Sequence, residues 1–216
     1  MGTRNLTMVI SNEQTKVAQY GQWDGYPEGQ GATILKFLLS LKNDYTKFKE
    51  KIDKLRWITD EEAKVIDKLS YEKLETEYPS LNRDTCGDIL ELIYNGSFKK
   101  DKWPNGVVEI KEDVKFLVDS TSFAADSLFC EWCYVVDLDK QTFEVYTGFN
   151  HKPLDVNERF INLTNQTEID EQTTKSFNGN SYYPVGHVKT YSLNDLPSVE
   201  TFIEEITELT KEPEGA

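Results

Sequence analysis

"SLFCEWCYVVDLDKQTFEVYTGF" fills residues 127–149 and holds two runs of β-branched and aromatic residues joined by the polar link "DLDKQ". Runs of this kind on either side of turn-forming residues make a β-hairpin. A second hairpin is expected at the N-terminal end, where "NLTMVI" and "KVAQY" flank a somewhat long turn, "SNEQT". "VGHVKTYSL" (185–193) adds a further strand. Between these strands the spacing changes. In "ATILKFLLSL" (32–41) the residues Ile34, Phe37, Leu38 and Leu41 fall at i, i+3, i+4 and i+7, the stripe of an amphipathic helix. A charged helix is expected near 45–55. Thr59 with Glu62 three residues on forms a capping box, which opens another. In "LNRDTCGDILELIYNG" (81–96), Asp84 or Thr85 caps a helix lined by Ile89, Leu92 and Ile93 and stopped at Gly96. Pro197 stands at the entrance of a last helix. Strands paired in hairpins with helices grouped between them predict an α+β fold, an antiparallel sheet with several helices packed on it.

The 216 residues suit one domain, 1–216, with a polar, patternless stretch at 157–183 expected as a long loop or lid and an acidic tail at 212–216 expected to fray. The net charge of −14 is unevenly spread: residues 1–70 hold 11 Lys and Arg against 10 Asp and Glu, 71–140 hold 8 against 15, and 141–216 hold 5 against 13. A duplex-binding protein gains affinity by neutralising phosphates, so this balance argues against nucleic acid as a partner. The near-neutral first third still suits a small anion. No run approaches the ~18 apolar residues of a membrane span, and the first residues lack a signal-peptide pattern, so no membrane partner and a cytoplasmic location are expected. The oligomeric state is left open.

Cys86, Cys130 and Cys133 fit a reducing compartment. "CEWC" has C-x-x-C spacing, but in a strand residues three apart point to opposite faces, and no second Cys/His pair follows. Inert buried thiols are expected, with no metal site and no cofactor. The two histidines, His151 and His187, are isolated, and no Ser/His/Asp or Cys/His set stands out. An N-terminal-nucleophile mechanism fails because loss of Met1 would expose Gly2.

The candidate site is the segment "KVAQYGQWDGYPEGQG" (16–31). Gly29 and Gly31 flank Gln30 just before a helix, where glycine permits close backbone approach and free helix N–H groups attract an anion. Neither a Walker loop nor a G-x-G-x-x-G fingerprint is present. Trp23 and Tyr26 offer faces on which a base stacks, while Gln19, Gln22, Gln30 and Asp24 supply donors and acceptors. Arg4 on the adjacent strand and Arg83 before a helix add guanidinium forks. For carboxylate chemistry the sequence offers Asp24, Glu28, Asp84 and Glu131, with no separation to choose among them.

The segments "MGTRNLT", "KVAQYGQWDGYPEGQG", "LNRDTCGDILELI" and "DSLFCEWCYVVDLDKQTFEVYTGF" together resemble the signature segments of a widespread family of small proteins of bacteria, bacteriophages and fungi. The resemblance spans residues 1–149 and brings no established activity or catalytic residue with it. It makes a phage setting, and a host-cytoplasm location, natural expectations, since phages encode small proteins that sequester or degrade nucleotide-derived immune signals. Three functions are carried forward. The first is a binding protein for a phosphate-bearing, nucleotide-like small molecule, with Trp23 or Tyr26 stacking and Arg4 and Arg83 neutralising charge. The second is a metal-independent hydrolase or lyase of such a molecule, with Asp24 or Glu131 as base. The third is an acidic interaction protein or DNA mimic.

Overall fold

The computed structural model describes residues 2–70, 73–74, 78–81, 88–103, 106–163 and 182–211. Its centre is a five-stranded sheet in the order β2-β1-β7-β8-β9, formed by β1 (Asn5–Ser11), β2 (Gln14–Gly21), β7 (Trp132–Asp137), β8 (Thr142–Thr147) and β9 (Gly186–Ser192). The three expected hairpin and strand regions all supply strands. β1 pairs antiparallel with β2, β7 with β8, and β8 with β9, whereas β1 and β7 run parallel. The sheet is therefore mixed but mostly antiparallel, and the fold is α+β.

Every residue of β1 and β7 is buried, because both faces of the sheet are covered. Alternation sorts the side chains by face. Val9, Val17, Tyr134, Val136, Phe143 and Val145 meet the helices α1 (Ala32–Ser40), α2 (Thr46–Asp53), α4 (Ile89–Asn95) and α5 (Val199–Thr210) through Leu35, Leu38, Phe48, Ile93, Phe202 and Ile206. Leu6, Met8, Ile10, Cys133, Val135 and Tyr146 face the other way, under irregular chain that contributes Ala124, Cys130, Phe160 and Val185. A fully buried leucine or phenylalanine contributes about 1.5–3 kcal/mol, so these two layers dominate stability.

Local signals account for the element ends. Thr59 and Glu62 form the reciprocal capping box ahead of α3 (Asp60–Ile66), and Ser198 accepts from the Thr201 N–H at the start of α5. Gly96 closes α4 at φ 81° with its N–H on the Leu92 carbonyl. Candidate caps Asp84 and Thr85, along with Cys86, lie outside the described residues, as do 164–181 of the expected loop and the 212–216 tail. The first hairpin turn is tighter than expected: Ser11 pairs with Gln14, so the loop is Asn12–Glu13, both at positive φ, and both N–H groups donate to the Asp139 carboxylate. Positive φ at both central residues is the geometry of a type I′ two-residue hairpin loop.

Smaller pieces complete the chain. β3 (Arg56–Trp57) runs parallel to β6 (Phe116–Leu117), and β4 (Ser97–Trp103) pairs antiparallel with β5 (Gly106–Glu112). Among the described residues no helix is long and apolar enough to cross a membrane.

The cysteine geometry corrects one expectation. Cys130 precedes β7 instead of lying within it, so Cys130 and Cys133 join the same core layer and do not point to opposite faces. Both are free, fully buried thiols whose ionisation burial pushes upward, which makes them inert.

Candidate functional site

The parallel β1–β7 pair and its antiparallel neighbours bring the starts of β1 and β7 and the ends of β2 and β8 to one end of the sheet. Four large aromatics are exposed there: Trp23 at 53%, Tyr26 at 50%, Phe129 at 44% and Phe149 at 52%. Sequence reasoning found the first two and missed the phenylalanines, whose hairpin setting reads as core. Phe149 holds a left-handed backbone at φ 51°, a conformation that costs a bulky L-residue roughly 1–2 kcal/mol. Strain of that kind gathers at functional sites.

Arg4 stands beside one of them, Phe129. Its backbone N–H donates to Glu131 Oε1 at 3.2 Å, its Nε lies 3.5 Å from the same oxygen, and its guanidinium stacks 4.7 Å over the Phe129 ring. No acceptor among the described residues meets its Nη donors. The stacked ring holds the plane of the fork beside Glu131, to which the buried Nε makes no hydrogen bond, and the Nη edge carries no bond to the described residues. Asp126 is close enough to feel that charge; burial raises its carboxyl above the usual range, and the Phe129 N–H and then Arg4 only partly offset the rise.

The loop behind Trp23 is closed on itself. Gly25 N–H donates to the Thr3 carbonyl, Asn5 Nδ2 to the Trp23 carbonyl at 3.1 Å, and the Tyr134 hydroxyl to the Gly25 carbonyl at 2.8 Å. Pro27–Gly31 forms a single π-helical turn that runs straight into α1. Within it Gln30 N–H donates to Asp24 O at 2.7 Å, and the Gly29 and Gly31 N–H groups donate to Tyr26 O. The amides expected to cradle an anion are therefore used internally. Gly29 and Gly31 serve packing instead: a Cβ on Gly29 would lie 2.3 Å from Asp24 O, and one on Gly31 would lie 2.9 Å from the Phe202 ring and 3.0 Å from the Tyr134 ring.

The glutamines divide as well. Gln19 and Gln30 are interior, 5% and 3% exposed, in a polar layer with Asn5 and Thr7 beneath the loop. Gln30 Nε2 donates to Thr7 Oγ1 at 3.0 Å, and Gln19 Nε2 makes a long 3.4 Å bond to Tyr20 O. The Gln30 amide ties the loop to β1, the Gln19 amide stays within β2 with its buried Oε1 unpaired, and both side chains are interior. Gln22 is half-buried and accepts from the Tyr20 hydroxyl at 2.6 Å, while Asp24 is exposed at φ 50°, a backbone aspartate tolerates. Arg83 lies outside the described residues. Of the predicted set, Arg4, Trp23, Asp24 and Tyr26 share the exposed end, with Gln22 at its margin.

A second cluster escaped the sequence reading. On the opposite layer Arg159 Nε donates to Glu144 Oε2 at 2.8 Å and Nη2 to Glu144 Oε1 and Asp137 Oδ2 at 2.6 and 2.7 Å. Tyr146 and Thr142 complete the shell of Glu144. Burial works against the Glu144 carboxylate, yet the bonds from Arg159 and Tyr146 outweigh it and hold the carboxyl below the glutamate range. The cluster borders a polar cavity of about 620 Å³ that also meets Lys140 and His187. With both Glu144 oxygens saturated, it clamps the chain near Phe160 onto the sheet.

A serine–lysine pair at the far end of β1 is closed to substrate: Ser11 is fully buried between Lys49 and Asp53, whose bonds occupy its hydroxyl. Among the described residues no group of His, Cys, Asp and Glu could hold a metal ion. No family model, curated protein or solved structure matches the chain.

Proposed function

We propose that this chain is a binding protein for a nucleotide-like small molecule, stacked on Trp23 and Tyr26 with its anionic group on the Nη edge of Arg4. The observation that supports this most is the set of half-exposed aromatics at one end of the sheet, together with a guanidinium held over one of them, Phe129. Such a platform loses little entropy on binding, and base–aromatic stacking contributes about 1–3 kcal/mol per base. Membership of the bacterial, phage and fungal family, and a role in sequestering a nucleotide-derived signal in a host cytoplasm, belong to the same proposal. A catalytic role draws less support from the described residues, in which Glu131 is engaged with Arg4 and Asp24 is exposed without a bond to another acid.

The test is calorimetric titration of nucleosides and nucleotides of all four bases into wild type, Trp23→Ala and Arg4→Met. Binding weakened by about 1–3 kcal/mol in Trp23→Ala, with an unchanged melting profile, supports the reading. Binding to none of them, with a partner protein captured through Phe129 and Phe149 instead, would favour the interaction role that four exposed aromatics also suit.

A further inference from the structure

We infer that the ligand of this end is a monoanion: a flat ring carrying one phosphodiester or carboxylate, and not a phosphomonoester or polyphosphate. The inference rests on the stacking reading above and narrows it. Arg4 offers two Nη donors in one plane, which match the paired oxygens of a single phosphodiester or carboxylate. The glycine-loop amides that would cradle further phosphates already donate to Asp24 and Tyr26 carbonyls. The charges placed against Arg4 are acidic, Glu131 at 3.5 Å and Asp126, whose carboxyl feels the Arg4 charge, and the loop that carries Trp23 and Tyr26 adds exposed Asp24 and Glu28. A first negative charge meets a positioned fork. A second would meet the Glu131 carboxylate without help from the Gly29, Gln30 and Gly31 amides, in a chain whose net charge is already −14.

The experiment compares one base at a time across a charge series at fixed salt: the nucleoside, its 3′,5′-cyclic monophosphate, its 5′-carboxylic acid, its 5′-monophosphate and its 5′-triphosphate. The expected order places the cyclic phosphate or the carboxylate at least tenfold tighter than the nucleoside, with monophosphate and triphosphate weaker than either; whichever monoanion is tighter identifies the acid. Glu131→Gln should narrow the gap between cyclic and open monophosphate, because it removes one repelling charge while keeping the acceptor for the Arg4 N–H. Affinity rising from monoanion to triphosphate overturns the inference and leaves the stacking reading intact. An unaltered gap in Glu131→Gln also counts against it. Absence of binding across every base removes the stacking reading itself.

Discussion

Replacing Arg159 with methionine keeps most of the side-chain volume and deletes the charge that compensates Glu144 and Asp137, whose side chains are 8% and 2% exposed. Breaking a buried ion cluster by removing one partner costs about 3–5 kcal/mol. The backbone N–H groups of Asp139 and Lys140 still donate to Asp137, and the Thr142 and Tyr146 hydroxyls still reach Glu144, which places the expected loss near the lower end. Against a total stability of about 5–15 kcal/mol for a domain, that is a large fraction, readily seen as a lower urea midpoint at pH 7. The pH dependence gives a second signature. Glu144 has a depressed folded pKa, so its contribution is present above the unfolded value and is lost as pH falls through the folded one. The gap between wild type and Arg159→Met should therefore shrink on acidification below about pH 4.3, the ordinary glutamate range. Combining Arg159→Met with Glu144→Gln and Asp137→Asn should recover much of the loss, since no unpaired charge then remains. A loss under about 1 kcal/mol, or a gap that does not change with pH, would mean that the cluster behaves as solvated surface charge.

Gly31→Ala should destabilise by about 1–3 kcal/mol despite the better helix propensity of alanine, because its Cβ meets the Phe202 and Tyr134 rings and both are fully buried; thermal melting checks this. Gln19→Met should be neutral or stabilising, since it removes a buried Oε1 that has no hydrogen-bond partner at the cost of one 3.4 Å bond; a drop in the urea midpoint would show that the amide is better satisfied than its geometry indicates. Arg56 and the Thr59 N–H should hold the Glu62 carboxyl at a pKa of about 2, so carboxyl NMR should find it ionised throughout pH 3–7, and Arg56→Met should return it toward the ordinary range.

Much of this fold was legible because its signals are local. β-rich runs marked β1, β2, β7, β8 and β9, the Ile34, Phe37, Leu38 and Leu41 stripe marked α1, the Thr59–Glu62 box marked α3 and Pro197 marked the entrance of α5, though its cap is Ser198. The parallel pairing of β1 with β7 was not, because it joins residues 127 or so apart, such as Asn5 and Trp132, with nothing local to encode it. Glu144 alternates with Phe143 and Val145, which places it on the opposite face; that this face is covered, and that Arg159 reaches it, is decided by chain outside the hairpin. The glutamines misled for a related reason. A polar side chain reads as surface, and the layer of Asn5 and Thr7 that buries Gln19 and Gln30 forms only when β1, β2 and the π turn come together. Trp23, Tyr26 and Arg4 were legible as a group because the same loop and adjoining strand carry them.

Chemical-shift mapping with a cyclic mononucleotide tests the recognition platform most directly. Saturable shifts are expected at the Trp23 indole N–H, the Arg4 guanidinium and the backbone amides of Tyr26, Phe129 and Phe149, abolished together in Trp23→Ala. Shifts confined to the cavity beside Arg159, or no shift at millimolar ligand with the fold intact, would contradict it.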